Sequence, residues 1–294
     1  MDISVVIPVY NRADELRLTL QSLTRQTLPA NRFEVIIADD GSAEDIQGVL
    51  KEFPALTIIY THQPDEGFRV AAARNLGADQ ARGDIIVYSD NGILLKSSTL
   101  EKHLQHHKAE GETLAALANM RATGWDTDKD KARELLETHA IDDAINIMKA
   151  ENMNDGREGY FADYGTDVSA WYIPWLALWG GQFSVNTGFV KKHNIRWNEI
   201  FTSWGGEDNE YGIQLCNAGA QIRFFEDIEV AHYPTPGSKA VEKPGEDFAT
   251  MYEKVKQRIL YLHPTLPVKA WYEIGRRAND PELRMELFKS KGWN

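Results

Sequence analysis

Two short acidic segments carry the side chains best suited to chemistry. One is Asp90-Asn91, which lies between the apolar runs IIVY and ILL. The other is Glu207-Asp208, which follows the letters SWGG. A carboxylate can take a proton from a hydroxyl group, and it can also bind a divalent cation. Both segments are therefore candidates for a catalytic site, and the fold must position them.

Buried strands are predicted from apolar, β-branched runs in the first third of the chain. The runs are Ile3 to Val9, Phe33 to Ala38, Leu56 to Tyr60 and Ile85 to Tyr88. The helical patterns between them are the face of Leu16, Leu20 and Leu23, a helix start at Ser42 to Asp45, and a helix from Val70 to Ala81. Alternating strands and helices predict an α/β fold with a doubly wound, mostly parallel sheet.

Polar segments follow each of these strands. They are Tyr10-Asn11-Arg12, Asp39-Asp40-Gly41-Ser42, the segment from Asp65 to Arg69, and the segment from Ser89 to Gly92. Ligands of a doubly wound sheet bind outside the carboxyl ends of its strands. We therefore expect one crevice to collect all four segments.

The first strand-to-helix turn disfavours two common nucleotide-binding classes. It reads PVYNRA, without the Gly-x-Gly-x-x-Gly of dinucleotide binders, and the chain has no Gly-x-x-x-x-Gly-Lys-Ser/Thr of a P-loop. A nucleotidyltransferase would need a glycine-rich basic loop at this turn, and the letters YNR are a poor substitute. The nucleotide site, if there is one, is of another kind.

Composition sets broad limits. The net charge of −12 argues against a nucleic-acid partner. The single cysteine fits a reducing compartment, and the longest apolar stretch, WYIPWLALW, is far shorter than the roughly 20 residues of a spanning helix. With no basic, signal-like start, these features predict a cytoplasmic protein without a transmembrane segment. Trp271, Arg276 and Arg277 are candidates for peripheral membrane contact, with ordinary helix packing as the alternative.

Helices are predicted for much of the remaining chain. One runs from about Lys96 to Ala118, and a charged segment from Asp126 to Glu151 reads as a solvated helix or flap. The last fifty or so residues read as amphipathic helices broken at Pro264, Pro267 and Pro281.

Several of these segments resemble a known family. The strings VVIPVYNR, VIIADDGS and AAARNLGADQARGDIIVYSD resemble the family 2-like glycosyltransferases of GT-A fold. The strings WGGQFSVNTGFVKK and SWGGEDNEYGIQL resemble the catalytic part of the β-1,4-galactosyltransferases and of chondroitin-polymerase-like enzymes. The resemblance covers about residues 1 to 235. It implies a Rossmann-like GT-A fold with a nucleotide-sugar-binding half at 1–110, an acceptor-binding and catalytic half at 111–235, and a C-terminal helical extension at 236–294.

The resemblance also implies a set of donor contacts. The nucleotide of a sugar donor, usually a uridine diphosphate sugar, would be held by Pro8, Tyr10, Arg12, Asp40, Arg69, Arg74 and Asn75, with Asp90 and Asn91 beside the ribose and diphosphate. The donor sugar would meet a pocket near Trp179, Gln182 and Phe183.

A catalytic and acceptor set follows from the same resemblance. Asp208 would be the general base of a single, inverting displacement, and Glu207 would orient the acceptor hydroxyls. Trp204 offers a flat apolar face for a sugar ring, and Gly205 and Gly206 allow close backbone approach. The simpler reading is that both acids open a helix, where carboxylates favour the positive end. Both readings can hold together.

The metal prediction is less simple. In the family, an Asp-x-Asp motif binds Mn²⁺ or Mg²⁺, and here Gly92 stands in place of the second Asp. We expect a site formed by Asp90, His232, phosphate oxygens and water. The alternative is that Arg or Lys side chains balance the leaving-group charge without a metal.

The expected function is therefore inverting sugar transfer from a nucleotide diphosphate sugar to an acceptor hydroxyl. The acceptor could be a saccharide, a lipid-linked sugar or a small molecule. A rival hypothesis is a nucleotide-sugar or polysaccharide binding module that has lost catalysis, which the incomplete metal motif suggests.

Overall fold

A computed structural model describes residues 1–124, 126–234 and 248–293 of the chain. Its centre is a sheet of eight strands in the order β3-β2-β1-β4-β7-β6-β8-β5. The strands are β1 Ile3–Val9, β2 Phe33–Asp39, β3 Ile58–His62, β4 Ile85–Ser89, β5 Ile93–Leu95, β6 Leu114–Arg121, β7 Gln182–Asn186 and β8 Gln221–His232. Strands β1 to β4 are parallel, and β8 is parallel to β6, while β7 and β5 run antiparallel to their neighbours. The mostly parallel sheet is confirmed.

Helices cover the sheet on both faces and extend beyond it. They are α1 Ala13–Leu23, α2 Ile46–Leu50, α3 Val70–Gln80, α4 Thr99–Glu110, α5 Lys129–Thr138, α6 Ile141–Ala150, α7 Glu158–Tyr164, α8 Thr187–Lys192, α9 Glu207–Asn217, α10 Phe248–Leu262, α11 Leu266–Ile274 and α12 Pro281–Lys291. Within the described ranges, none of them is long and apolar enough to cross a membrane.

The helix expected from Lys96 to Ala118 is wrong in its second half. Helix α4 ends at Gly111, whose φ of 90° is left-handed, and the chain then forms β6. All eight residues of β6 are buried in the sheet. Its first five residues, Leu114 to Ala118, are all apolar, and such a short run has no periodicity that separates a buried strand from a buried helix. Tertiary pairing therefore decided the outcome.

The charged segment from Asp126 to Glu151 does contain helices, namely α5 and α6. They are amphipathic, because Leu135, Ile145 and Met148 are buried with Leu94 and Ala231 of the sheet. The segment therefore packs on β5 and β8 through an apolar face and leaves its charges in solvent.

The C-terminal prolines lie at helix boundaries, as predicted. Pro264 separates α10 from α11, whereas Pro267 and Pro281 lie in the first turns of α11 and α12, where a missing N–H costs nothing. Trp271 is fully buried, with Trp175 edge-on at 5.1 Å between ring centroids. A membrane contact through Trp271 is therefore wrong, and helix packing explains this residue.

The crevice lies where the strand order reverses, between β1 and β4. Their paired register ends at Val6 and Tyr88, before Pro8, which has no N–H to give. Strands β1 and β4 are therefore not paired with each other beyond Val6 and Tyr88. The turns that follow these two strands border the opening. Only three residues, 90–92, connect β4 to β5 at the far edge of the sheet.

Candidate active site

The polar segments after β1, β2 and β3 are joined by side-chain hydrogen bonds. Tyr10 Oη donates to Asp65 Oδ2 at 3.0 Å, and the N–H of Asn11 donates to Ser42 Oγ at 2.7 Å. Asn11 and Arg12 have φ of 55° and 60°, a left-handed pair that turns the chain sharply at the carboxyl end of β1. The expected gathering of these polar segments is confirmed. Tyr10 keeps 50% of its surface exposed.

Asp40 is a buried acceptor at the same edge. Its Oδ1 accepts from Gln63 Nε2 at 2.5 Å, and its Oδ2 accepts from the N–H of Arg69 at 3.0 Å. Burial raises the pKa of Asp40 and outweighs these two donors. Pro8 lies inside β1 and is buried, so Tyr10 and Arg12 are the exposed members of their segment.

Asn75 has a different use from the predicted nucleotide contact. Its Nδ2 donates to the carbonyl of Trp197 at 2.8 Å and to Glu199 Oε1 at 2.9 Å, while its Oδ1 accepts from the N–H of Trp197 at 2.9 Å. Both donors and the acceptor are therefore occupied. This buried amide fixes the 197–199 segment against α3, and it has no free N–H for a hydrogen bond to a sugar nucleotide.

Arg74 joins the two acidic segments of the sequence. Its Nη2 lies 2.8 Å from Asp90 Oδ1, its Nη1 lies 3.2 Å from Glu207 Oε1, and its side chain is 2% exposed. The guanidinium lies over the ring of Trp197 at 4.3 Å. Burial opposes its charge, but Asp90 and then Glu207 raise the pKa of Arg74 overall. A permanent positive charge therefore lies between the carboxylates of Asp90 and Glu207.

Asp208 lies beside this group at the start of α9. Its Oδ1 accepts from the N–H of Asn209 at 2.7 Å and its Oδ2 from the N–H of Gly180 at 3.1 Å. Burial, followed by the charge of Glu207, raises the pKa of Asp208 to about 7, against the two N–H donors and Arg74. The side chain is partly exposed. A carboxylate with this pKa suits proton transfer at neutral pH.

Gly180 and Gly181 contact the acidic residues of this site, and the sequence interpretation gave neither glycine a role. Gly180 binds Asp208 through its N–H, and a Cβ there would lie 2.6 Å from Arg74 Nη2. The carbonyl of Gly181 accepts from the N–H of Asp90 at 2.9 Å. The signal was present, because the letters WGG occur twice, at 179–181 and at 204–206.

Two residues expected near the donor sugar lie inside the sheet. Gln182 and Phe183 are fully buried in β7, where Phe183 packs against Tyr88 and Trp197. Trp179 is half-buried and packs edge-on against Tyr160, with 6.5 Å between the ring centroids.

The loop before α9 offers an apolar surface. Trp204 is 41% exposed and Ile200 is 49% exposed. Gly205 and Gly206 have φ of 97° and 90°, which favours glycine at both positions. A Cβ on Gly206 would lie 2.4 Å from Val255 Cγ1 of α10, so this glycine is packed against the C-terminal helices.

The two glycines provide a matched test of that packing. We expect Gly206→Ala to lower the free energy of unfolding by about 1–3 kcal/mol more than Gly205→Ala, because both lose the left-handed preference but only the first clashes with Val255. Equilibrium urea unfolding of both variants measures this difference. Equal losses would show that α10 does not constrain the loop.

Asp90 and His232 supply the protein donor atoms of the expected metal site. Asp90 gives one oxygen to Arg74. His232 ends β8 opposite Ile93, and burial, with Lys129 as the next cause, lowers the pKa of its imidazole, which favours the neutral, metal-binding form. No group of three His, Cys, Asp or Glu that could hold an ion occurs in the described part of the chain. Two protein ligands fit an ion whose other ligands come from phosphate and water.

The absence of a second acidic residue has a backbone reason. Gly92 has φ of 92°, and its N–H donates to Thr19 Oγ1 at 3.0 Å. An aspartate would be strained in this left-handed turn. Asn91 Nδ2 donates to the carbonyl of Arg12 at 3.1 Å, so this side chain joins the turns after β1 and β4.

Comparisons with known proteins agree with this geometry. Residues 4–163 match the family described as "Glycosyl transferase family 2". The validoxylamine A glucosyltransferase of Streptomyces hygroscopicus subsp. jinggangensis is 28% identical over 99% of this chain and 68% of that protein. The chondroitin synthase of Escherichia coli is 31% identical over 89% of this chain and 39% of that protein. The chain thus spans between 39% and 68% of the length of these two relatives.

Solved structures share the fold. TarS 1-349 of S. aureus, in complex with UDP-GlcNAc, has a TM-score of 0.67 at 15% identity, covering 95% of this chain and 73% of that one. The mannosyltransferase PcManGT of Pyrobaculum calidifontis, in complex with GDP-Man and Mn²⁺, has a TM-score of 0.59 at 15% identity, covering 99% and 75%. The chain therefore belongs to glycosyl transferase family 2, and it is a glycosyltransferase with the GT-A fold.

Proposed function

We propose that this enzyme transfers a sugar, with inversion, from a nucleotide diphosphate sugar to an acceptor hydroxyl, with Asp208 as the general base. The observation that carries the proposal is the group formed by Asp90, Arg74, Glu207 and Asp208 at one edge of the sheet. A carboxylate suited to a cation on the donor diphosphate and carboxylates suited to an acceptor hydroxyl lie on either side of one buried arginine.

The donor nucleotide fits the turns after β1 and β2. Asp40 retains lone pairs for an N–H of the base, and the exposed ring of Tyr10 offers a surface against which a base can lie. TarS and PcManGT were solved with UDP-GlcNAc and GDP-Man, and both donors are nucleotide diphosphate sugars. We propose UDP as the first nucleotide to test. Arg12 and Arg69 are the exposed and half-buried cations of this edge.

Asp208 would take the proton of the attacking hydroxyl as the acceptor oxygen bonds to the anomeric carbon and the nucleotide diphosphate leaves from the opposite face. One displacement of this kind inverts the anomeric centre. The N–H groups of Gly180 and Asn209 fix the carboxylate in one orientation. Its raised pKa makes it a stronger base than an ordinary aspartate.

A divalent cation, Mn²⁺ or Mg²⁺, is proposed as a cofactor held by Asp90 and His232. When bound, such an ion neutralises the charge that develops on the leaving diphosphate. PcManGT was solved with Mn²⁺. The residues of this chain contribute one carboxylate, already oriented by Arg74, and one imidazole whose lowered pKa favours its neutral form.

The acceptor side is proposed at the loop before α9. Trp204 presents a flat face to a sugar ring, Glu207 orients hydroxyl groups, and Gly205 and Gly206 let the backbone approach. A saccharide, whether free, lipid-linked or part of a small molecule, fits such an aromatic and acidic surface. We propose that residues 1–110 form the donor half and residues 111–235 the acceptor half.

A donor panel tests this function. Hydrolysis and transfer of UDP-, GDP- and dTDP-sugars are measured with a panel of mono- and oligosaccharide acceptors, with Mn²⁺ and with EDTA. We expect one UDP-sugar to be consumed faster with a saccharide acceptor than without it, and Mn²⁺ to stimulate the wild type more than Asp90→Asn. If no nucleotide sugar is consumed under any condition, the proposal is wrong. If the rates with EDTA and Mn²⁺ are equal, the metal part is wrong.

A further inference from the structure

Arg74 is buried too completely to be an ordinary donor contact. Its side chain is 2% exposed, both of its terminal nitrogens have carboxylate partners, and one flat face is covered by Trp197. A Cβ on Gly180 would already meet Nη2 at 2.6 Å. The space for a nucleotide or sugar next to the guanidinium is therefore filled by protein.

The two carboxylates that share Arg74 belong to different halves of the reaction. Asp90 is the proposed donor and metal ligand, and Glu207 is the proposed acceptor ligand next to the base. Asp90 Oδ1 is bound at 2.8 Å and Glu207 Oε1 at 3.2 Å. Glu207 Oε2 and Arg74 Nε are buried without a hydrogen-bond partner. The hydrogen-bonding capacity of Arg74 and Glu207 is therefore not fully used. A change in the ion pair with one carboxylate can alter the ion pair with the other.

We propose that Arg74 is a positioning residue that couples the donor-side carboxylate Asp90 to the acceptor-side carboxylate Glu207 without contacting either substrate. This rests on the function proposed above. A guanidinium has donors spaced as a fork, so one side chain can hold two carboxylates at once. Neutralising Glu207 gives Asp90 a larger share of the positive charge, and Asp90 then binds a cation more weakly. Removing Arg74 as well reverses this effect.

Charge sharing is tested first by thermal unfolding. We expect Arg74→Met to lower the midpoint strongly, because the buried carboxylate of Glu207 and the part-exposed carboxylate of Asp90 lose their shared counter-ion. Arg74→Met/Glu207→Gln and Arg74→Met/Asp90→Asn should each recover part of the loss. Arg17 is a matched control, since it bridges Asp14 and Glu52 at 2.7 and 2.8 Å on the surface. Arg17→Met should change the midpoint little. Recovery by only one of the two carboxylate changes would overturn the shared role.

Coupling is tested by calorimetry with UDP and Mn²⁺. Glu207→Gln is expected to weaken Mn²⁺-dependent UDP binding by about threefold to tenfold. The same change should have no effect in an Asp90→Asn background, and Arg74→Met/Glu207→Gln should bind at least as tightly as wild type. A purely structural role for Arg74 would leave wild type, Glu207→Gln and Arg74→Met/Glu207→Gln with equal affinities.

The possible results distinguish failure of the coupling through Arg74 from failure of the proposed glycosyl transfer. If wild-type protein binds UDP with Mn²⁺ and Glu207→Gln leaves the affinity unchanged, the coupling is wrong and the proposed function stands. If wild type binds none of UDP, GDP and dTDP, with or without Mn²⁺, both are overturned. Weaker UDP binding by Arg74→Met/Glu207→Gln than by Glu207→Gln alone would make Arg74 a donor ligand, which also contradicts the proposal.

Discussion

Replacing Asp208 by asparagine is expected to lower kcat by about 10²- to 10⁴-fold, which is the usual contribution of a positioned general base. Asparagine keeps the size of the side chain and an oxygen for the N–H of Gly180 or Asn209, so the start of α9 should be preserved. The dissociation constant of UDP should change about threefold at most. Turnover is measured with the donor and acceptor that the panel identifies.

Asp79→Asn is the control for Asp208→Asn. Asp79 lies on α3, and its exposed carboxylate is paired with Arg196 at 2.7 Å. Wild-type turnover should rise as the pH increases through about 7, since the base must be ionised and the pKa of Asp208 is raised to about 7. The charge of Glu207 contributes to the raised pKa of Asp208. In Glu207→Gln, the rise of turnover with pH should therefore occur at lower pH. Near-normal turnover by Asp208→Asn, with UDP binding intact, would exclude it as the base.

Replacing Arg157 by methionine is expected to lower the free energy of unfolding by about 3–5 kcal/mol, the usual cost of breaking a buried ion pair. Arg157 is fully buried, with Nε and Nη2 bound to both oxygens of Asp155, while its terminal nitrogens also donate to the carbonyls of Ala177 and Ala118 at 2.9 and 2.5 Å. The variant leaves a buried carboxylate without its counter-ion. Equilibrium urea unfolding measures the loss.

The double variant Asp155→Asn/Arg157→Met provides the comparison. It removes both charges, so it should be more stable than Arg157→Met, although the backbone N–H of Met120 loses its charged acceptor at 2.9 Å. If both variants lose the same free energy, the unpaired carboxylate is not the cause. Because the guanidinium also lies 5.6 Å from the ring of Trp179, a folded Arg157 variant should show altered tryptophan fluorescence.

The strands that carry the site were predictable because their patterns are local. The runs from Ile3 and Phe33 become β1 and β2 within one residue of their expected bounds, since every residue in them is buried. The turns after them were also correctly grouped, because parallel strands present their carboxyl ends on one edge. Strand β6 was missed, since its identity depends on pairing with β7 and β8 rather than on periodicity.

The partners of buried polar side chains could not be predicted from local patterns. Arg74 meets Glu207 across 133 residues of sequence, and Asn75 meets Trp197 across 122. Arg74 and Asn75 are neighbours in one string, yet one joins two carboxylates and the other fixes a loop. Sequence resemblance grouped them as donor contacts, and only the packing of α3 against the 197–207 segment separates their uses.

The short connection from β4 to β5 limits the shape of the whole sheet. These strands are four positions apart in the strand order, which would be about 19 Å in a flat sheet. The four peptide links from Ser89 to Ile93 span at most about 14 Å. The sheet must therefore curl until its far edge returns to its middle, which brings the end of β8 towards Asp90. Main-chain length alone thus constrains the spacing of Asp90 and His232, and this constraint holds before any ion binds.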